Sequence, residues 1–254
     1  MRAPTCYAVG IMCSVPVRLQ PDGGLCLGYT RDEAQSIRQR SVSNNKTMRR
    51  LMRLREAAPQ AFYMSRTGDF ENFRKSRPLQ DDDPVEYRIA SGSIDAITWA
   101  ASFGDLLLGT SGSEYKASGD GGPITAKNIS ITAQSYWGSA RLAPIIIGNS
   151  VLHVQRHGAR VRDLFYSLEK DGYAGNDLSI LAPHLFDGHS LIQWAYQQTP
   201  GSTIWIVRED GMMPALTYMK EQDIWGWSRH VTQGAVTSVA AVSGDDEDIA
   251  PAAG

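Results

Sequence analysis

The sequence predicts an all-β protein built of antiparallel meanders, in the manner of an incomplete β-propeller-like body. Three observations lead there. From Phe62 onward, short runs rich in β-formers alternate with Gly, Asn-Ser, Pro-Gly and Asp-Gly turns. The middle strand of each meander recurs at Leu106, Val151 and Thr203, starts 45 and 52 residues apart. A period of roughly 40–50 residues is the footprint of propeller blades, each completing its core against the next. No WD or kelch signature accompanies it, so a β-sandwich of regular hairpins stands as the alternative.

The strands follow in order. Ile94–Ala101 is apolar, Phe103-Gly104-Asp105 turns the chain, and Leu106–Thr110 follows. Ser111-Gly112-Ser113 turns into Glu114–Ala117, and a Gly-rich loop leads to Asn128–Gln134. Ala143–Ile147, Val151–Arg156 and Arg160–Ser167 make a second meander, joined at Gly148-Asn149-Ser150 and His157-Gly158-Ala159. Leu191–Gln197, Thr203–Arg208, Met213–Lys220 and Ile224–His230 make a third. Its turn Glu209-Asp210-Gly211 carries the Asp-Gly pair of a type I′ hairpin. One short helix is expected near 177–186, capped by Asn176 or Asp177 and limited to about two turns by Pro183.

The first sixty residues differ in character. They hold ten Lys/Arg against four Asp/Glu, whereas the remainder is net acidic, within an overall charge of −2. Short strands are expected around Tyr7–Met12 and Leu25–Tyr29. Met48–Ala58 reads as a marginal helix, because Met48, Leu51, Met52 and Leu54 form a partial stripe. Arg49, Arg50, Arg53 and Arg55 on it suit either a solvated face or a nucleic-acid contact. The expected organisation is therefore 1–60 as an atypical basic segment, 61–243 as the β body, and 244–254 as a disordered acidic tail.

Composition bounds the function classes. With 42% hydrophobic and 20% charged residues, the chain has the make-up of a soluble globular protein. Its cysteines, Cys6, Cys13 and Cys26, form neither a disulfide framework nor a zinc pattern. No apolar run approaches a membrane span, and no signal peptide is read at the start. There is no GxSxG elbow, HExxH, P-loop or EF-hand loop. His153 shares a strand with Leu152 and Val154 on the opposite face, and is expected to be satisfied or solvent-facing. His184 and His189 have no simple metal spacing. Asp81-Asp82-Asp83 reads as a solvated loop rather than a cation site. Asp163, Asp177 and Asp223 are the carboxylates a glycosidase reading would need. No catalytic, cofactor or metal residue is therefore expected. The residues singled out are aromatics: Trp194, Tyr196, Trp205, Tyr218, Trp225 and Trp227. They suit core or inter-subunit packing, or stacking on sugars or bases.

Three stretches carry a resemblance. They are Phe62-Tyr63-Met64-Ser65-Arg66-Thr67-Gly68-Asp69-Phe70-Glu71-Asn72-Phe73 with Pro78–Asp83; Ser130–Tyr173, with Gln134-Ser135-Tyr136-Trp137-Gly138-Ser139 and Val154-Gln155-Arg156-His157-Gly158; and Ile192–His230, with Gln193-Trp194-Ala195-Tyr196-Gln197-Gln198 and Leu216-Thr217-Tyr218. Over residues 62–245 the chain resembles the structural proteins of tailed phages and prophages that form the propeller-bearing tail nozzle or DNA-stabilising hub of short-tailed phages. The resemblance implies a virion component at the head–tail junction, forming a ring homo-oligomer around the DNA exit channel. Its partners would be other phage neck and tail proteins, and DNA passing without sequence recognition. It implies no catalytic residues. Relatives of this kind are longer, and the change near residue 60 leads us to expect a truncated or frame-disturbed gene. A glycan-binding β-module for host attachment is the alternative function.

Overall fold

A computed structural model describes residues 17–19, 25–27, 41–43, 50–55, 58–90, 95–157 and 160–241. The expected strand at Tyr7–Met12, the acidic tail 244–254 and most of the basic segment lie outside them. The chain divides into two compact units: Met1–Gly28 with Leu181–Gly254, and Tyr29–Ile180.

The unit Tyr29–Ile180 contains three four-stranded antiparallel meanders. The first is β3 (Ser41–Ser43), β4 (Arg50–Arg55), β5 (Ala58–Met64) and β6 (Val85–Arg88). The second is β7 (Ile97–Phe103), β8 (Asp105–Thr110), β9 (Glu114–Gly119) and β10 (Ile129–Ser135). The third is β11 (Ile145–Ile147), β12 (Ser150–Val154), β13 (Val161–Ser167) and β14 (Gly172–Ala174). The other unit holds the hairpin β1 (Val17–Leu19) and β2 (Leu25–Leu27). It also holds a fourth meander, β15 (Leu191–Gln197), β16 (Thr203–Arg208), β17 (Met213–Met219) and β18 (Ile224–His230). The fold is all-β, with sequential antiparallel sheets and none closed on itself among the described residues.

Two expectations are corrected. Arg50–Arg55 is a strand, not part of a helix over Met48–Ala58. Met52 pairs with Met64 and Leu54 with Phe62, so alternation, not a helical stripe, decides the segment. The boundary expected near residue 60 consequently falls inside β5, and the first meander begins before it. Near 177–186, the expected two helical turns shrink to one 3-10 turn at Pro183–Leu185.

In the unit Tyr29–Ile180 the core is organised by β8, which is buried from Leu106 to Thr110. Leu106 and Leu108 face Met52, Phe62, Met64 and Val85 of the first sheet, with Tyr115 and Ala117 beside them. Leu107, one residue out of phase, faces the other way. With Trp99 and Ala101 it packs on Val151, Leu164 and Tyr173 of the third sheet. Gly109 permits this, because its missing side chain is where the Trp99 indole lies. Polar ties join the same two sheets. Gln134 Oε1 accepts from the Tyr173 amide at 2.7 Å, and the Tyr173 hydroxyl donates to the Phe103 carbonyl at 3.1 Å.

Burial on both faces makes a specific prediction. Leu107→Ala and Leu108→Ala should each cost about 2–5 kcal/mol in urea unfolding, since each leaves a cavity in a separate core. A strand with one solvated face would make one of the two nearly neutral, and that outcome would refute the two-sided packing.

The turn of the fourth sheet differs in type from expectation. Only Gly211 has positive φ, at 82°, and Asp210 does not. The Gly211 amide donates to the Arg208 carbonyl and the Arg208 amide to the Met212 carbonyl, both at 3.0 Å. This is the three-residue hairpin, a type I turn followed by a left-handed residue, rather than type I′. A side chain at Gly211 would also run into Ala235, whose Cα lies 2.8 Å from the Cβ position. Gly211→Val is expected to lose roughly 1–3 kcal/mol from backbone strain, plus the cost of displacing that segment. Gly234→Ala, which meets open space, is the control. Equal thermal midpoints for the two variants would contradict this turn geometry.

Candidate functional site

The aromatics singled out from sequence all lie on the fourth sheet. Its register pairs Trp194 with Ile206, Tyr196 with Ile204, Leu216 with Trp227 and Tyr218 with Trp225. Antiparallel partners share a face, so Trp194, Tyr196, Tyr218, Trp225 and Trp227 stand on one side. Trp205, paired with Ala195 and Ala215, stands on the other. Tyr218 and Trp194 are buried, and the remaining four are half-buried.

Each has a definite setting. The Trp205 indole N–H donates to Gln197 Oε1 at 2.8 Å, and its ring packs on His230 at 4.8 Å. The Tyr196 hydroxyl lies 3.2 Å from the Ser202 hydroxyl, which donates to the Tyr218 carbonyl at 2.6 Å. Trp227 meets Phe186 edge to face at 4.7 Å. Buried Arg208 donates to the Leu185 carbonyl at 2.6 Å and forks onto Asp210, holding that carboxyl below the usual carboxylate range. Arg208 thus fixes the Pro183–Leu185 turn to this sheet. The outcome is a half-open cavity of about 390 Å³ lined by Leu181, Ala182, His184, Leu185 and the β18 row Trp225, Gly226, Trp227 and Arg229.

A second constellation lies in the other unit and was not found from sequence. Glu114 opens β9, and His153 lies on β12; both point between the second and third sheets. Glu114 is 1% exposed and accepts from Ser135 Oγ at 2.5 Å and Ser139 Oγ at 2.8 Å. Desolvation raises its pKa, and the hydrogen bonds oppose that only in part. His153 is fully buried, 3.6 Å from Glu114 Oε1 and 5.7 Å from the Trp99 ring. Neither ring nitrogen has a hydrogen-bond partner among the described residues. His153 is therefore neither satisfied nor solvent-facing, as its sequence position had suggested. Burial first, and the Arg162 charge second, push its pKa down to about 3. Arg162 is the outer layer: its Nε donates to Gln155 Oε1 at 2.9 Å, and exposed Trp137 stacks over the guanidinium at 3.8 Å. The only short-range signal was a glutamate at the start of a strand, directly after the Ser111-Gly112-Ser113 turn. The remaining members lie 21 to 48 residues further on, and only sheet stacking brings them together.

The other acidic candidates are structural. Asp83 is buried and accepts from the Ser76 amide, the Ser76 hydroxyl and the Gln80 amide, which lowers its pKa; only Asp81 and Asp82 keep to the solvated loop expected of the trio. Asp82 pairs with Arg66, and Asp81 with Lys127 at 2.9 Å. Asp163 accepts from the Asn176 amide at 2.6 Å, Asp177 pairs with Arg160 at 2.9 Å, and Asp223 closes a 3-10 turn at φ 50°. Among the described residues no group of three or more His, Cys, Asp and Glu is arranged to hold a metal, and no helix is long and apolar enough to cross a membrane.

No family model matches the chain, and no curated protein does.

The buried histidine makes stability depend on pH. In the unfolded chain His153 takes up a proton near pH 6.5, whereas in the fold it resists protonation until about 3. Its contribution is complete above pH 6.5 and is lost as pH falls through that window. Glu114, with its pKa raised, acts in the opposite sense, so the clean measurement is a difference. Between about pH 6 and 4, His153→Gln should lose stability less steeply than wild type, by up to about 1.4 kcal/mol per pH unit. Parallel pH profiles for the two proteins would show that His153 is not held neutral by burial.

Proposed function

We propose that the chain is a structural component that works by assembly, in a phage tail or head–tail junction, where copies would build part of the DNA exit channel. The observation that supports assembly is the two-sided burial of β8. A sheet of this body completes its core only when another layer covers each face, and the meanders form open sheets. The outermost faces and edges of such a stack call for a partner, and a ring of identical subunits supplies one. The phage setting rests on the three sequence stretches from Phe62 to His230, and with it go the virion location, the neck and tail partners and the passing DNA. The carboxylates described above are each engaged by local donors or cations, which supports a non-enzymatic role.

Light scattering of the full chain at micromolar concentration tests this. A discrete oligomer is expected, and a stable monomer across the concentration range would overturn it. A glycan-binding module is the second reading, and the aromatic row of β18 is the observation that favours it.

A further inference from the structure

Trp225, Trp227 and Arg229 occupy alternate positions of β18, an edge strand of its sheet, and so form one row on one face. The facing wall is the segment around Leu181 and Leu185, held by the Arg208–Leu185 hydrogen bond and by the Phe186–Trp227 contact. Together they enclose about 390 Å³, open on one side, with exposed His184 also on the lining. That space is the size of a ligand of one or two rings. Indole faces in a row suit the apolar face of a pyranose, and Arg229 stands at the end of the row.

The charge pattern narrows the ligand. Arg229 is exposed, and the Asp210 carboxylate that lines a neighbouring hollow with it is already held by Arg208. The planar fork of Arg229 matches a single carboxylate in two hydrogen bonds. A nucleic-acid strand would need cations repeated along its phosphates. Here Arg229 is the one Lys or Arg among the lining residues, which suits a single negative group better than a polyanion.

We propose that this groove binds an acidic saccharide, with the sugar ring against Trp225 and Trp227 and its carboxylate on Arg229. The proposal rests on the glycan-binding reading and adds to it the charge of the sugar and the residue that reads it. It is independent of assembly.

Isothermal titration calorimetry of the full chain would use glucuronate, glucose and oligothymidylate as probes. Saturable glucuronate binding is expected, with glucose weaker. Arg229→Gln should weaken glucuronate about tenfold or more, as loss of a charge-assisted pair does. Arg229→Lys should recover only part of it, because an ammonium keeps the charge without the fork. Circular dichroism melting confirms that both variants fold, as expected for an exposed edge-strand position. Equal binding of glucose and glucuronate would overturn the charge assignment while leaving glycan binding intact. Glucuronate binding unchanged in Arg229→Gln would overturn the site. Preference for oligothymidylate, or no heat with any probe, would overturn the proposal as a whole.

Discussion

In the unit Tyr29–Ile180, two apolar clusters meet at β8, whose neighbouring leucines point to opposite sheets. An antiparallel strand in a two-layer fold normally has one wet face, and its sequence alternates accordingly. Leu106-Leu107-Leu108 does not alternate, because both sides are dry. The register is fixed by this arrangement in a different way from a half-buried strand. A slip by one residue would leave a leucine on each face but would remove Gly109 from beneath the Trp99 indole, where no Cβ has room. The glycine, more than the leucines, therefore specifies how β7 sits on β8.

The same stacking explains why a costly polar cluster survives inside it. Glu114 is paired in register with Gly109, and His153 with Arg162, so both acid and base face the sheet-to-sheet gap. Two serine hydroxyls satisfy the glutamate, whereas the imidazole has no hydrogen bond among the described residues. An unsatisfied buried polar group costs about 1–3 kcal/mol. That cost falls where the loop Trp137–Ala140 crosses between the two sheets: the Ser139 amide donates to the Thr110 carbonyl at 2.7 Å, and the Ala140 amide to the Val154 carbonyl at 2.8 Å. The cluster is thus bound up with the loop that fixes the second meander against the third.

What could be read from sequence followed how local each signal was. The strands from Ile97 to His230, apart from the short Gly172–Ala174 that adds a fourth strand to its meander, were legible because turns and β-rich runs are short-range features. Arg50–Arg55 was misread because Met52 and Leu54 satisfy a helical and an alternating pattern equally over so short a span, and only Met64 and Phe62 across the hairpin decide between them. The Asp-Gly turn was placed correctly but given the wrong type, since the choice depends on the bonds of Arg208 and Met212. Of the candidate residues, the shared faces of Trp194 with Tyr196 and of Trp225 with Trp227 followed from spacing alone. That Trp205 faces away from all of them followed only from register. The Glu114–His153 pair was not legible, because nothing local marks two residues that meet across stacked sheets.

The two faces of the fourth sheet differ in what covers them within their own unit. On the face of Trp205, the coil after β18 lies across the strands: Gln193 Nε2 donates to the Val239 carbonyl at 2.8 Å, and the Val236 amide donates to the Gly211 carbonyl at 2.9 Å. Ala241 is buried at the end of that path. A coil held by a few hydrogen bonds is a weaker cover than a sheet, since it orders much backbone for little apolar contact. It leaves Trp205 half-buried, with its N–H already satisfied by Gln197 and its ring against His230. On the opposite face, the Pro183–Leu185 turn covers the sheet only as far as Trp227 and leaves Trp225, Trp227 and Arg229 lining a cavity. The proposed assembly and the proposed sugar binding would accordingly draw on different parts of one sheet. Replacing the coil with another subunit's layer would concern the Trp205 face, and a bound sugar would concern the β18 row.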